Sequence, residues 1–175
     1  MAEIPVLETE RLILRGHRAD DFEGLHAVWC EPDVYRHISG KPSTRETSWS
    51  RLLRYCGHWP LTGFGFWAVT DKASGHYIGE AGVADFRRDI EPSLSDTPEM
   101  GWVLSPAWHH LGLASEALQA VTAWCDAHLG RATCCIIAPD NAASIRLAEK
   151  IGFRAAHRAT YMGDQVTIYM RPRAA

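Results

Sequence analysis

No apolar run in these 175 residues approaches the ~20 that a bilayer-spanning helix needs, so no membrane partner is expected. The opening Met-Ala-Glu-Ile-Pro lacks a basic region followed by an apolar stretch, which argues against a signal peptide and for a cytoplasmic location. Neither sign of charge dominates. Eighteen Lys and Arg stand against 21 Asp and Glu, and a net charge of −3 gives no bulk pull on nucleic acid. The five cysteines (Cys30, Cys56, Cys125, Cys134, Cys135) show no Cys-x-x-Cys spacing. Adjacent Cys134 and Cys135 point to opposite faces of a strand, so free, mostly buried thiols are expected. No Gly-x-Gly-x-x-Gly follows an early strand, which argues against a nicotinamide dehydrogenase. Repeats, low-complexity segments and linkers are also missing. Residues 1–175 read as one domain, long enough to bury a core.

What is there is an interleaving of periods. Residues 7–15 alternate as a first strand, and Asp20-Asp21 opens a helix with Phe22, Leu25, Val28 and Trp29 on its apolar face. Ser43 or Thr44 begins a second helical stretch. Strands follow at 66–70 and 77–86, then a polar loop over 87–98 and a fourth strand at 99–104. Leu113, Ala114, Ala117, Leu118, Val121, Cys125 and Leu129 mark a long helix, ended by Gly130. A fifth strand at 132–138, a helix at 141–151 and strands at about 154–161 and 165–171 complete the pattern. Consecutive strands among helices predict an α/β fold whose mixed sheet carries helices on both faces.

Two segments carry chemistry. The fourth strand is stopped by Ser105-Pro106, and after a turn the long helix opens near Gly112. Small residues there (Leu111, Gly112, Leu113, Ala114, Ser115) leave backbone N–H groups and the positive helix end open to a phosphate. One crossover later, a turn at 139–144 leads into a helix for which Asn141 is an N-cap. His109-His110 lacks companions at ligand spacing, so no metal is expected.

Together, "Leu-Gly-Leu-Ala-Ser-Glu-Ala" and "Asn-Ala-Ala-Ser-Ile-Arg-Leu-Ala-Glu-Lys-Ile-Gly-Phe" resemble the GNAT superfamily of acyl-CoA-dependent N-acyltransferases. The opening Leu7-Glu8-Thr9-Glu10-Arg11-Leu12-Ile13-Leu14-Arg15 resembles its RimJ/RimL-type branch, which acetylates protein N-termini and other amines. The resemblance implies a central sheet of about seven strands whose fourth and fifth members splay apart. Acetyl-CoA would lie in that gap, its pyrophosphate on residues 111–115 and its pantetheine arm touching Asn141. His109 stands where the family usually has Gln or Arg. A protonated His109 would partly restore that charge and make cofactor affinity pH-sensitive near ~6.5. Many family members place a Tyr acid where Ala148 stands. RimJ/RimL-type enzymes tend to have Ser at position 144, which makes Ser144 the substitute.

Glu99 opens the fourth strand and shares a face with Gly101 and Val103. A carboxylate at a strand end is commonly just solvated. Beside a cleft it suits a general base, because an acceptor amine is mostly ammonium at neutral pH. A backbone N–H near Val103 or Leu104 would stabilise the oxyanion. In the loop, Asp89, Glu91 and Asp96 outnumber Arg87 and Arg88, which fits a cationic acceptor and equally a solvated loop. The aromatics Trp29, Tyr35, Trp49, Trp59 and Trp67 would mostly pack, with one or two touching substrate. The expectation is acetyl transfer to a peptide N-terminus or a small amine, in a chain that could form a homodimer. The rival is a non-catalytic acyl-CoA-binding module.

Overall fold

The structure, a computed structural model, describes residues 4–173. Its chain order is β1 (Leu7–Glu8), β2 (Leu12–Arg15), α1 (Phe22–Trp29), α2 (Pro32–Tyr35), α3 (Arg45–Thr62), β3 (Phe66–Asp71), β4 (Tyr77–Ala84), β5 (Glu99–Leu104), α4 (Leu113–His128), β6 (Thr133–Ile137), α5 (Ala142–Lys150), β7 (Arg154–Tyr161) and β8 (Asp164–Arg171). The strands form one mixed sheet in the order β1-β2-β3-β4-β5-β6-β8-β7. All neighbours run antiparallel except β5 and β6.

The sheet has eight strands because the stretch expected as one strand over 7–15 is a small hairpin, with Leu7 opposite Leu14. Thr9 makes the turn: its hydroxyl accepts from the Leu12 N–H at 3.0 Å, and its own N–H donates to the Leu12 carbonyl. Once backbone groups are satisfied inside the turn, the ladder cannot run through it. The four-residue helix α2 was not expected. Pro32 starts it with a pre-set φ, and it is too short to show a 3.6-residue period.

Period-2 alternation along β5 separates two cores. Met100, Trp102 and Leu104 pack with α4 and α5 residues such as Leu113, Leu118, Val121 and Ala148. Val103 packs on the other face, with Leu25, Trp29, Leu52, Tyr55 and Phe66. α4 is fixed to the sheet by tertiary polar contacts too. Arg171 on β8 makes a two-bond ion pair with Asp126 at 2.6 and 2.7 Å. Glu116 accepts from the Thr9 hydroxyl, the Arg11 N–H and the Arg11 guanidinium. The terminal hairpin is thereby clipped to the start of α4.

Candidate active site

β5 and β6 pair at one place only, Glu99 opposite Cys134, where the Cys134 N–H donates to the Pro98 carbonyl at 3.0 Å. Beyond that bridge the strands part. On the other edge of β5, the Ser105 N–H donates to the Ile78 carbonyl. Backbone groups of successive strand residues point to opposite edges. The N–H groups of Trp102 and Leu104 are therefore aimed into the gap, and that of Val103 at β4. Of the two positions expected to supply an oxyanion donor, Leu104 faces the gap.

One end of the gap is the start of α4. The first helical bond runs from the Glu116 N–H to the Gly112 carbonyl, so the N–H groups of Leu113, Ala114 and Ser115 have no helical acceptor. No side chain caps this end. Gly112 has φ of 79°, which a β-branched residue adopts only with strain. The Ser115 hydroxyl is buried without a partner. His109 lines the cavity over this turn. Its Nε2 lies 2.8 Å from the Leu104 carbonyl, so that nitrogen carries a hydrogen and braces the turn. Arg11, paired with Glu116, is a further brace of this turn that the sequence did not show. Its guanidinium donates to the Leu111 carbonyl at 2.9 Å, and a Cβ on Gly112 would sit 3.6 Å from it. Nothing in a strand-end Arg signals this; only the fold brings residues 11 and 111 together.

A cavity of about 550 Å³ covers this turn and runs along the gap past Trp102 and Leu104. A second, of about 440 Å³, lies toward the bridge end and shares Trp102, Val103, Asn141 and Ser144 with the first. The shared residues mark where the two meet. Asn141 caps α5 as expected, its Oδ1 accepting from the Ser144 N–H at 3.2 Å. Ser144 lines both cavities. Ala148, one turn on, is buried in the core, with no room for a Tyr.

Glu99 lines the second cavity and is not a free carboxylate. Arg88 donates to both its oxygens, at 2.5 and 2.7 Å, and the pair is largely buried. Two of roughly four lone-pair positions remain for other partners. The Arg88 guanidinium also lies over the rings of Phe86 and Tyr161, at 4.7 and 4.8 Å. The loop acids follow the solvated-loop reading. Asp89, Glu91 and Asp96 line a separate, open cavity outside the gap. The acceptor-side cavity is instead walled by Arg51, Arg54 and Arg88. Of the aromatics singled out, only Trp29 lines it; Trp59 and Trp67 are buried against Trp124, and Trp49 packs on Phe22.

Behind this wall sits Glu80, fully buried on β4. It accepts from Trp29 Nε1 at 2.6 Å, from the Tyr55 hydroxyl at 2.9 Å and from the Tyr77 hydroxyl. Burial raises its pKa, opposed by those donors. The same burial and the Glu80 charge push both phenols up.

A family model described as an acetyltransferase (GNAT) domain matches residues 11–154. A protein assigned to the GNAT acetyltransferase family in Bordetella pertussis is 33% identical and superposes with a TM-score of 0.85, over 95% of this chain and 99% of that one. The chain belongs to the GNAT acetyltransferase family. An uncharacterized N-acetyltransferase of Bacillus subtilis, YoaA, is 26% identical over 86% of this chain and 83% of its own. The Salmonella typhimurium acetyltransferase that modifies the N-terminal serine of ribosomal protein L7/L12 shares the fold, with a TM-score of 0.77 at 16% identity over 96% of this chain and 99% of that one.

GNAT enzymes use acyl-CoA, and the residues here fit that group. The unpartnered Ser115 hydroxyl, the three first-turn N–H groups without a helical acceptor and the Gly112 conformation would suit a diphosphate. The free edges of β5 and β6 offer backbone partners to the amides of a pantetheine arm. Among the described residues, no group of three His, Cys, Asp or Glu is placed to hold a metal, and no helix is long and apolar enough to cross a membrane.

Proposed function

We propose that this GNAT protein transfers an acetyl group from acetyl-CoA to a primary amine by direct attack in a ternary complex. The observation that carries the reading is the single-bridge gap between β5 and β6. It leads from the start of α4 to the arginine-walled cavity and gives donor and acceptor one meeting point at Trp102, Val103, Asn141 and Ser144.

The amine arrives as ammonium and must lose a proton before its lone pair attacks the thioester carbon. Glu99 takes that proton directly or through one water, at the lone pairs that Arg88 leaves open. The Leu104 N–H, pre-aimed into the gap, stabilises the oxyanion as the new C–N bond forms. The C–S bond then breaks, and the departing thiolate takes a proton from Ser144 or from a water that Ser144 holds, a proton replaced by the second one that the new amide nitrogen sheds. Asn141 and residues 111–115 hold the pantetheine and pyrophosphate. The RimJ/RimL-like opening and the shared fold favour a peptide N-terminus as one acceptor class, with small amines as the other.

The test is release of free thiol from acetyl-CoA with a panel of amines and N-terminal peptides. Acceptor-dependent thiol release together with an acetylated product supports the reading. A protein that binds acetyl-CoA but releases no CoA with any amine would be an acyl-CoA-binding module instead.

A further inference from the structure

The acceptor-side cavity has an unbalanced charge that the transfer of an acetyl group to a simple amine does not use. Three guanidiniums line it, those of Arg51, Arg54 and Arg88, and the one carboxylate among its lining residues is Glu99. Arg88 is paired with Glu99. Arg51 and Arg54 have no carboxylate within ion-pair distance among the described residues. The nearest buried acid, Glu80, has its oxygens taken by Trp29, Tyr55 and Tyr77.

Arg51 is also pre-arranged. Its guanidinium carbon lies 3.4 Å from the centroid of the Trp29 ring, and Trp29 is itself fixed by its bond to Glu80. Its Nε is buried with no hydrogen-bond partner. A guanidinium held flat on an indole keeps its N–H edge free for a planar or tetrahedral oxyanion. Arg54 stands one turn less a residue further along α3, over the rings of Tyr55 and Phe86 at 5.9 and 5.4 Å. Partial desolvation of its guanidinium pushes its pKa down, with the neighbouring Arg51 and Arg88 adding to that and Tyr55 opposing it. Positions 51 and 54 share a helix face, so both can grip one group. Arg51 is half-buried and Arg54 exposed, and an anion between them would relieve the mutual repulsion of two cations that have no carboxylate partner.

We propose that the acceptor carries, besides its amine, an anionic group (a carboxylate or a phosphate) that Arg51 and Arg54 bind at the α3 wall of the cavity. The proposal rests on the acetyl-transfer reading and names the substrate class within it. A simple alkyl amine or a polyamine would meet a cationic wall and be disfavoured. An amine with an anion a few bonds away would place the anion on α3 and its nitrogen toward Glu99 and the gap.

The experiment compares matched acceptors by kcat/KM: β-alanine with its amide, phosphoethanolamine with ethanolamine, and otherwise identical peptides with Asp or Asn at the second position. These arms separate a free carboxylate, a phosphate and a peptide side chain as sources of the anion. The anionic member of at least one pair is expected to be favoured ten-fold or more. Arg51→Gln and Arg54→Gln should each shrink that preference through KM, and Arg51→Lys should restore it in part, since charge without the planar fork binds less well. Melting temperature monitors folding of each variant. Equal use of neutral and anionic members, or a preference that survives the double Gln variant, overturns the proposal. If no acceptor reacts, calorimetry of the anionic amines on the CoA-loaded protein still decides it. Binding lost in Arg51→Gln supports the anion site while sinking acetyl transfer, and the absence of arginine-dependent binding overturns the site as well.

Discussion

At the scale of single residues, the most exacting position is His17. It is buried beside Tyr55, with ring centroids 4.9 Å apart, and neither ring nitrogen has a hydrogen-bond partner. Burial is the main cause that holds its pKa down at about 4, well under the usual histidine value. The unfolded chain therefore binds a proton that the folded one refuses. Stability from this residue is full above pH ~6.5 and falls as pH drops toward 4, by about 3 kcal/mol in all. Urea titrations at pH 7 and pH 4.5 should show that loss in the native protein and a smaller one in His17→Phe, which keeps a ring beside Tyr55. Equal losses in both would remove His17 as the cause. Glu80 is a second such position. Glu80→Ala would strand three donors, and a loss of about 3 kcal/mol is expected. Glu99 and Ser144 act on rate instead. Glu99→Gln should lower kcat more than it weakens acetyl-CoA binding; an unchanged kcat removes it from the mechanism. Ser144→Ala should slow kcat by about ten- to a hundred-fold, since a thiolate is a fair leaving group and needs little help. A normal kcat would hand that proton to bulk water.

At the scale of elements, the start of α4 is the part most dependent on one residue. Gly112→Val would strain a backbone at φ 79° and crowd the Arg11 guanidinium. It should reduce the rise in melting temperature that acetyl-CoA produces while leaving the unliganded protein less affected. A wild-type-sized rise in the variant would place the diphosphate elsewhere. Elements also show how far the sequence speaks for itself. β5, α4 and α5 were legible, with boundaries within a residue or two, because their periods are clean and Gly112 and Asn141 punctuate them. The β1–β2 hairpin was not, because its turn is made by one threonine and no glycine. Within the site, the uncapped first turn of α4 and the Asn141 cap were visible because each is a local motif. The guanidinium wall was not. Arg51 and Arg54 come from α3, Arg88 from a loop and Trp29 from α1, and only the packing of three separate segments makes them one surface. The Arg88 partner of Glu99 was hidden for the same reason, and it changes a lone carboxylate into half of an ion pair.

At the scale of the molecule, the sheet is complete on both sides of the gap and nearly absent across it. A ligand that binds there adds its affinity to the stability of the whole. Acetyl-CoA at 100 times its dissociation constant should add about 2.7 kcal/mol, which for a domain of this size is roughly 5–10 °C in melting temperature. A scan at millimolar acetyl-CoA that shows no rise contradicts the gap as its site. The geometry also implies leverage. Glu99 and Cys134 act as a pivot at one end, and Leu104, five residues along β5, lies roughly 17 Å from it at ~3.3 Å per residue. Cys134 is fully buried at that pivot. Its side chain stands off the sheet among Ile90, Ala159 and Ile168, so that layer packs over the pivot. A small rotation about this one backbone pair would become a larger displacement at the mouth, and the gap would open widest where Leu104 lies.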